Sequence, residues 1–120
     1  MSRGRLSDEF RARTKHFAAG VIRLYAKLPT GREEVRVLGR QLLRSGTSVA
    51  AQVREASRAR SVEEFASKLG GALQECDESQ LWLELLREEC GIDGSLTLAL
   101  EKEASELSAI FTAMIKRSSA

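Results

Sequence analysis

At 120 residues, with 42% hydrophobic, 30% charged and 5% aromatic content, the chain is long enough for one real core, too short for two, and too apolar for a disordered tail. No apolar run approaches the ~20 residues that span a bilayer, and the opening MSRGRLSDEF lacks an apolar signal core, so a cytoplasmic protein away from the membrane is expected. The net charge of +2 hides a division: residues 1–60 carry +9 and residues 61–120 carry −7, a pattern that suits either neutralisation within a bundle or a basic face for nucleic acid.

The first helix is expected over about 8–28. Ser7 is a candidate N-cap, Asp8 and Glu9 favour the positive end of the helix dipole, and Phe10, Phe17, Val21, Leu24 and Leu28 form one apolar face. Pro29 ends it, because the residue before a proline avoids the α region. Thr30 to Glu33 has the form of a capping box for a second helix over about 31–59, with Val35, Leu38, Leu42, Val49 and Val53 on its stripe. Ser61 to Glu64 repeats the box for a third helix over about 62–90, striped by Phe65, Leu69, Leu73, Cys76, Leu83, Leu86 and Cys90. Gly91 suits the residue after that helix, and Ser95 is the expected cap of a fourth helix over about 96–117, where Leu100, Leu107 and Met114 recur every seven residues. Short connections between four such helices predict an all-α, antiparallel up-down-up-down four-helix bundle in one domain spanning 1–120. Only the first few and last few residues are expected to fray.

Cys76 and Cys90 are fourteen residues apart on one expected helix, about 21 Å, so they read as two reduced core thiols rather than a disulfide. Ser45-Gly46-Thr47-Ser48 and Gly70-Gly71 are poor helix material, since each glycine costs about 1 kcal/mol relative to alanine. If the second and third helices are antiparallel about Arg60-Ser61, paired positions sum to about 121. That register puts Ala50 and Ala51 opposite Gly70 and Gly71 in an expected tight crossing. It also brings Arg44 near Glu75 or Glu78, and Arg54 or Arg58 near Glu63 or Glu64. These pairs stand either as solvated surface contacts or, with Gln52, Glu55 and Glu84, as a polar network fixing helix register or a subunit contact. Trp82 is a core residue or an interface anchor.

Chemistry-bearing motifs are missing from the sequence. There is no phosphate loop, HExxH helix or CxxC pair, and one histidine cannot supply the two Glu-x-x-His motifs of a di-metal bundle site. His16 reads as a half-exposed helix residue, and Ser45 and Ser48 lack a histidine partner. No catalytic residue, cofactor or metal is expected.

The segment from Leu38 to Leu86 carries Arg44-Ser45-Gly46-Thr47-Ser48, Arg54-Glu55-Ala56, Ser61 with Phe65, Lys68-Leu69, Glu75, Glu78 and Trp82-Leu83. In these residues the chain resembles the bacterial four-helix-bundle proteins encoded within intervening sequences of large-subunit ribosomal RNA genes. It departs at Gln52, where that family often has Asn. The resemblance implies an up-down bundle without enzymatic activity that assembles as a homopentameric ring. It also implies a rival role, because a related member serves a retroelement reverse transcriptase as accessory factor through a basic surface. Arg11, Arg13, Arg58 and Arg60 are the residues here that could form such a surface toward RNA or DNA. The expected function is a structural or adaptor homo-oligomer; the alternative is a nucleic-acid-binding accessory factor with a protein partner.

Overall fold

A computed structural model describes residues 6–118; the fraying expected at the chain ends falls outside this range. Four helices follow in order: α1 (Asp8–Lys27), α2 (Glu33–Ser57), α3 (Val62–Glu88) and α4 (Gly94–Ser118), and no strand occurs among the described residues. The cross-section of 21 × 20 Å is two helix diameters each way, at about 10 Å per helix, and the long axis is 51 Å. α2 packs along α1 and α3, α3 packs along α2 and α4, and α1 meets α4 over a shorter stretch. α1 and α3 therefore stand at diagonal corners.

Local chemistry explains most helix ends. Ser7 Oγ accepts from the Phe10 amide at 3.0 Å, and Asp8 and Glu9 occupy the first turn of α1. Leu28, extended ahead of Pro29, ends that helix. Thr30 is not a cap: α2 starts two residues later than expected, behind Arg32, which makes no side-chain capping bond. Arg32 instead holds Glu34 at 2.9 Å and donates to the Cys90 carbonyl at 2.8 Å, tying the α1–α2 turn to the α3–α4 turn. Ser61 Oγ caps α3 by accepting from Glu64 N at 3.0 Å, but Glu64 returns to the Arg60 amide rather than to Ser61, so the box closes one residue early. α4 begins at Gly94, and its cap is Asp93, whose Oδ1 accepts from Ser95 N at 2.7 Å; the expected Ser95 cap is corrected to the donor of that bond. Gly91 adopts φ 72°, a left-handed conformation that glycine reaches without cost, and lets Ile92 N–H return to the Leu86 carbonyl at 3.0 Å.

The core runs the length of the bundle. Phe10, Phe17, Val21, Leu24 and Leu28 are buried as their spacing predicted, against Val35, Leu42, Val49 and Val53 from α2 and Phe65, Leu69, Cys76, Leu83 and Leu86 from α3. Phe111 meets Phe10 edge to face with centroids 5.6 Å apart. Leu38, Leu73, Leu100 and Met114 pack only partly buried at the core margin. Both cysteines are free and buried; burial pushes the Cys76 thiol up, and it donates to the Ala104 carbonyl. The polar positions that looked out of place inside the second and third helices meet at mid-bundle, where Ser45 and Ser79 hydroxyls share a buried hydrogen bond of 2.8 Å.

The close approaches differ from the expected one. A Cβ on Gly70 would meet nothing within 4 Å, and one on Gly71 would meet the flexible Gln52 carboxamide at 2.9 Å, so Gly70-Gly71 does not mark a tight crossing against Ala50-Ala51. The tight crossing lies between α1 and α2 instead, where a Cβ on Gly46 would sit 2.8 Å from Val21 Cγ2.

Candidate functional site

The outer seam of α2 and α3 gathers most of the polar residues singled out in the sequence. Arg44 reaches Glu75 at 3.4 Å and Glu78 at 3.1 Å. Lys68 pairs with Glu55 at 2.8 Å, and that carboxylate raises the lysine pKa. Between these pairs the Gln52 carboxamide lies over Gly71. The partners sum to 119–123, so the register anticipated from the turn is right to within about half a helical turn. All these pairs are partly exposed, so each contributes at most about 1 kcal/mol and their value is in fixing register. Trp82 continues the seam one turn beyond Glu78; it is half-buried, and its indole Nε1 is shut from solvent without an acceptor. Glu84 does not join: it accepts from Gln80 Nε2 at 3.4 Å on another side of α3.

The four arginines read as a nucleic-acid surface differ in their acidic partners. Arg13 points toward α4, where Glu103 holds it at 2.7 and 2.9 Å and Glu106 at 2.9 Å; the Glu103 bonds raise its pKa. Arg60 lies 3.6 Å from Glu64, the acid expected to pair with Arg54 or Arg58. Arg11 pairs with Asp8 and also lines a cleft of about 120 Å³ between α1 and α2. Lys15 and Arg54 share that cleft, and Arg58 continues from Arg54 along α2. Among the described residues Lys15, Arg54 and Arg58 have no acidic partner. Arg11, Lys15, Arg54 and Arg58 therefore lie along one pair of adjoining clefts, with Arg13 engaged by acids of α4 and Arg60 by Glu64. Helical spacing could have found this grouping: Arg11 and Lys15, like Arg54 and Arg58, are four apart on one face, whereas Arg13 is two away on the opposite flank.

A third polar element escaped the sequence reading. Glu101 is 8% exposed inside α4, and Arg87 grips it with bonds of 2.8 and 2.9 Å from α3. The guanidinium holds the Glu101 carboxyl below the usual carboxylate range. Among the described residues no group of three or more His, Cys, Asp or Glu side chains is placed to hold a metal ion, and no helix is long and apolar enough to cross a membrane.

These features define an all-α bundle whose distinctive residues lie on outer seams and surfaces rather than around an enclosed pocket. The chain belongs to the 23S rRNA-intervening sequence protein family, whose model matches residues 9–113. A solved structure, a protein of unknown function from the S23 ribosomal protein family of Bacteroides thetaiotaomicron VPI-5482, is 33% identical, with a TM-score of 0.80 over 88% of this chain and 97% of that one. No curated protein matches the chain.

Proposed function

We propose that this chain is a non-catalytic, cytoplasmic helical building block that assembles with copies of itself, in the ring of five the family resemblance implies, and serves as a structural or adaptor protein. Trp82 carries the reading. Its indole is half-buried, so one face of a large, rigid aromatic remains at the surface, where burial against a second chain removes apolar area from water. Beside it Leu81 is 46% exposed, and Val37, 44% exposed, falls within the part of α2 that the register sets level with Trp82. A large aromatic flanked by exposed aliphatics is the composition of an interface centre.

Light scattering tests it. The expected mass is five times that of the chain, and Trp82→Ala lowers it while the helical circular dichroism persists. Because Trp82 is the sole tryptophan, its emission should shift to the red as the wild type is diluted into subunits. A wild type of single-chain mass at high concentration rejects the proposal.

The unpaired Lys15, Arg54 and Arg58 favour a second reading, a nucleic-acid-binding accessory factor such as one serving a reverse transcriptase. Three phosphate contacts would give a slope of about −2 to −3 in log affinity against log salt. Titration of labelled RNA and DNA should show that slope, and Lys15→Glu with Arg54→Glu should remove binding. Affinity indifferent to salt rejects this reading.

A further inference from the structure

We infer that the groove between α1 and α4 of one copy receives the acidic outer ridge of α3 from a second copy, in a head-to-tail contact. This rests on the self-assembly reading and adds a contact that shares Leu81 with the Trp82 surface. α1 and α4 are held together at one end by Arg13 on Glu103 and Glu106 and by Phe10 on Phe111. Toward the other end they leave an open groove of about 440 Å³, floored by Phe17, Leu24, Leu96 and Leu100. His16, Arg23 and Lys27 rim it on the α1 side, all exposed. The one acid in the lining, Glu103, is taken by Arg13, and among the described residues neither Arg23 nor Lys27 has an acidic partner, so the α1 rim presents uncompensated positive charge beside apolar surface.

The complement lies at the diagonal corner. The core face of α3 is used by Leu69, Cys76, Leu83 and Leu86, which leaves Asp77, Leu81, Glu84 and Glu88 as a stripe on its outer side. Its charged members are all acids. Asp77 has no cationic partner among the described residues, Glu84 accepts from Gln80 and feels the charge of Arg87 without a direct ion pair, and Glu88 has a 3.4 Å contact with Arg87, whose shorter bonds go to Glu101. Leu81, 46% exposed, stands at the middle of the stripe.

The two strings also match in spacing. His16, Arg23 and Lys27 are separated by seven and then four residues, as are Asp77, Glu84 and Glu88, and each string spans about 16 Å of helix. Laid in parallel, Arg23 meets Glu84, Lys27 meets Glu88, and Leu81 comes opposite Gly20, against the apolar surface of the Leu100 side chain that lies over it. Since α1 and α3 of one copy touch other helices and not each other, these surfaces can meet only between copies. Two different patches in contact make a heterologous interface, the kind that closes into a ring.

The test is charge exchange read by light scattering at low salt, on variants shown to keep wild-type helicity and melting. Arg23→Glu with Lys27→Glu should reduce the mass to that of one chain, and so should Glu84→Lys with Glu88→Lys. Mixing the two variants should restore association, and a chain with all four changes should regain the wild-type mass. Double variants that keep the wild-type mass, or a mixture that stays monomeric while the wild type is oligomeric, overturn this interface and leave self-assembly standing. A monomeric wild type overturns both. A monomeric wild type that captures a synthetic acidic amphipathic peptide, lost with Arg23→Glu, places another protein in the groove and also overturns self-docking.

Discussion

Gly46→Leu is expected to abolish the bundle, and Gly46→Ala to lower its stability by about 1–3 kcal/mol, even though alanine is the better helix former. The cause is where α1 crosses α2. A Cβ at Gly46 would lie 2.8, 3.0 and 3.1 Å from the two methyls and Cβ of Val21. Val21 is fully buried, and a β-branched side chain in a helix is confined to essentially one rotamer, so it cannot swing aside. The backbones must separate instead, which opens the core around Phe17, Leu42 and Val49. Gly70→Ala is the control: nothing lies within 4 Å of its Cβ, so relief of the glycine helix penalty should add up to about 1 kcal/mol. Urea unfolding of the two alanine variants checks both signs. Equal midpoints for Gly46→Ala and wild type would sink the account.

This contrast marks how far the sequence could be read. Four helices, the bundle, the Ser7 and Ser61 caps and the α2–α3 register follow from spacing and from one short turn, because two helices joined so closely must run back along each other. Which glycine sits at a crossing does not follow. Gly46 and Gly70 are alike as helix breakers, and only the azimuth of α1 against α2 makes one indispensable and the other idle. The buried Ser45–Ser79 bond has the same origin: each serine was visible as a polar intruder, but their meeting depends on the depth of packing. Thr30 misled because a capping motif matters only where the helix begins, and α2 begins behind Arg32, whose side chain goes to the Cys90 carbonyl rather than to a capping bond. Arg13 misled because its partners Glu103 and Glu106 arrive from a helix ninety residues away in sequence. The cations were legible and their acids were not.

Arg87 provides the second large effect. Glu101 is a carboxylate 8% exposed, and Arg87 supplies both of its short bonds. Arg87→Met would leave that charge buried and unpaired, at an expected cost of about 3 kcal/mol at neutral pH. The pH profile separates this from a simple packing loss. In the wild type the Arg87 bonds depress the Glu101 pKa, so the unfolded chain takes up its proton first as pH falls. The pair's contribution is therefore complete above the ordinary glutamate range near pH 4.3 and disappears as pH drops through the lower folded value. Without Arg87, burial outweighs the smaller opposing hydrogen bond from Thr97 and raises the folded pKa, so the sign reverses and the variant gains stability on acidification as Glu101 becomes neutral. The gap between the two proteins should be widest near pH 7 and should close toward pH 4. Replacing both partners, Arg87→Met with Glu101→Leu, removes the stranded charge and should recover most of the loss at pH 7, because an apolar pair of similar volume needs no compensating bonds. A gap that stays constant from pH 7 to pH 4, or a double variant no better than Arg87→Met, would show that the guanidinium stem stabilises the α3–α4 seam by packing and not by holding the carboxylate.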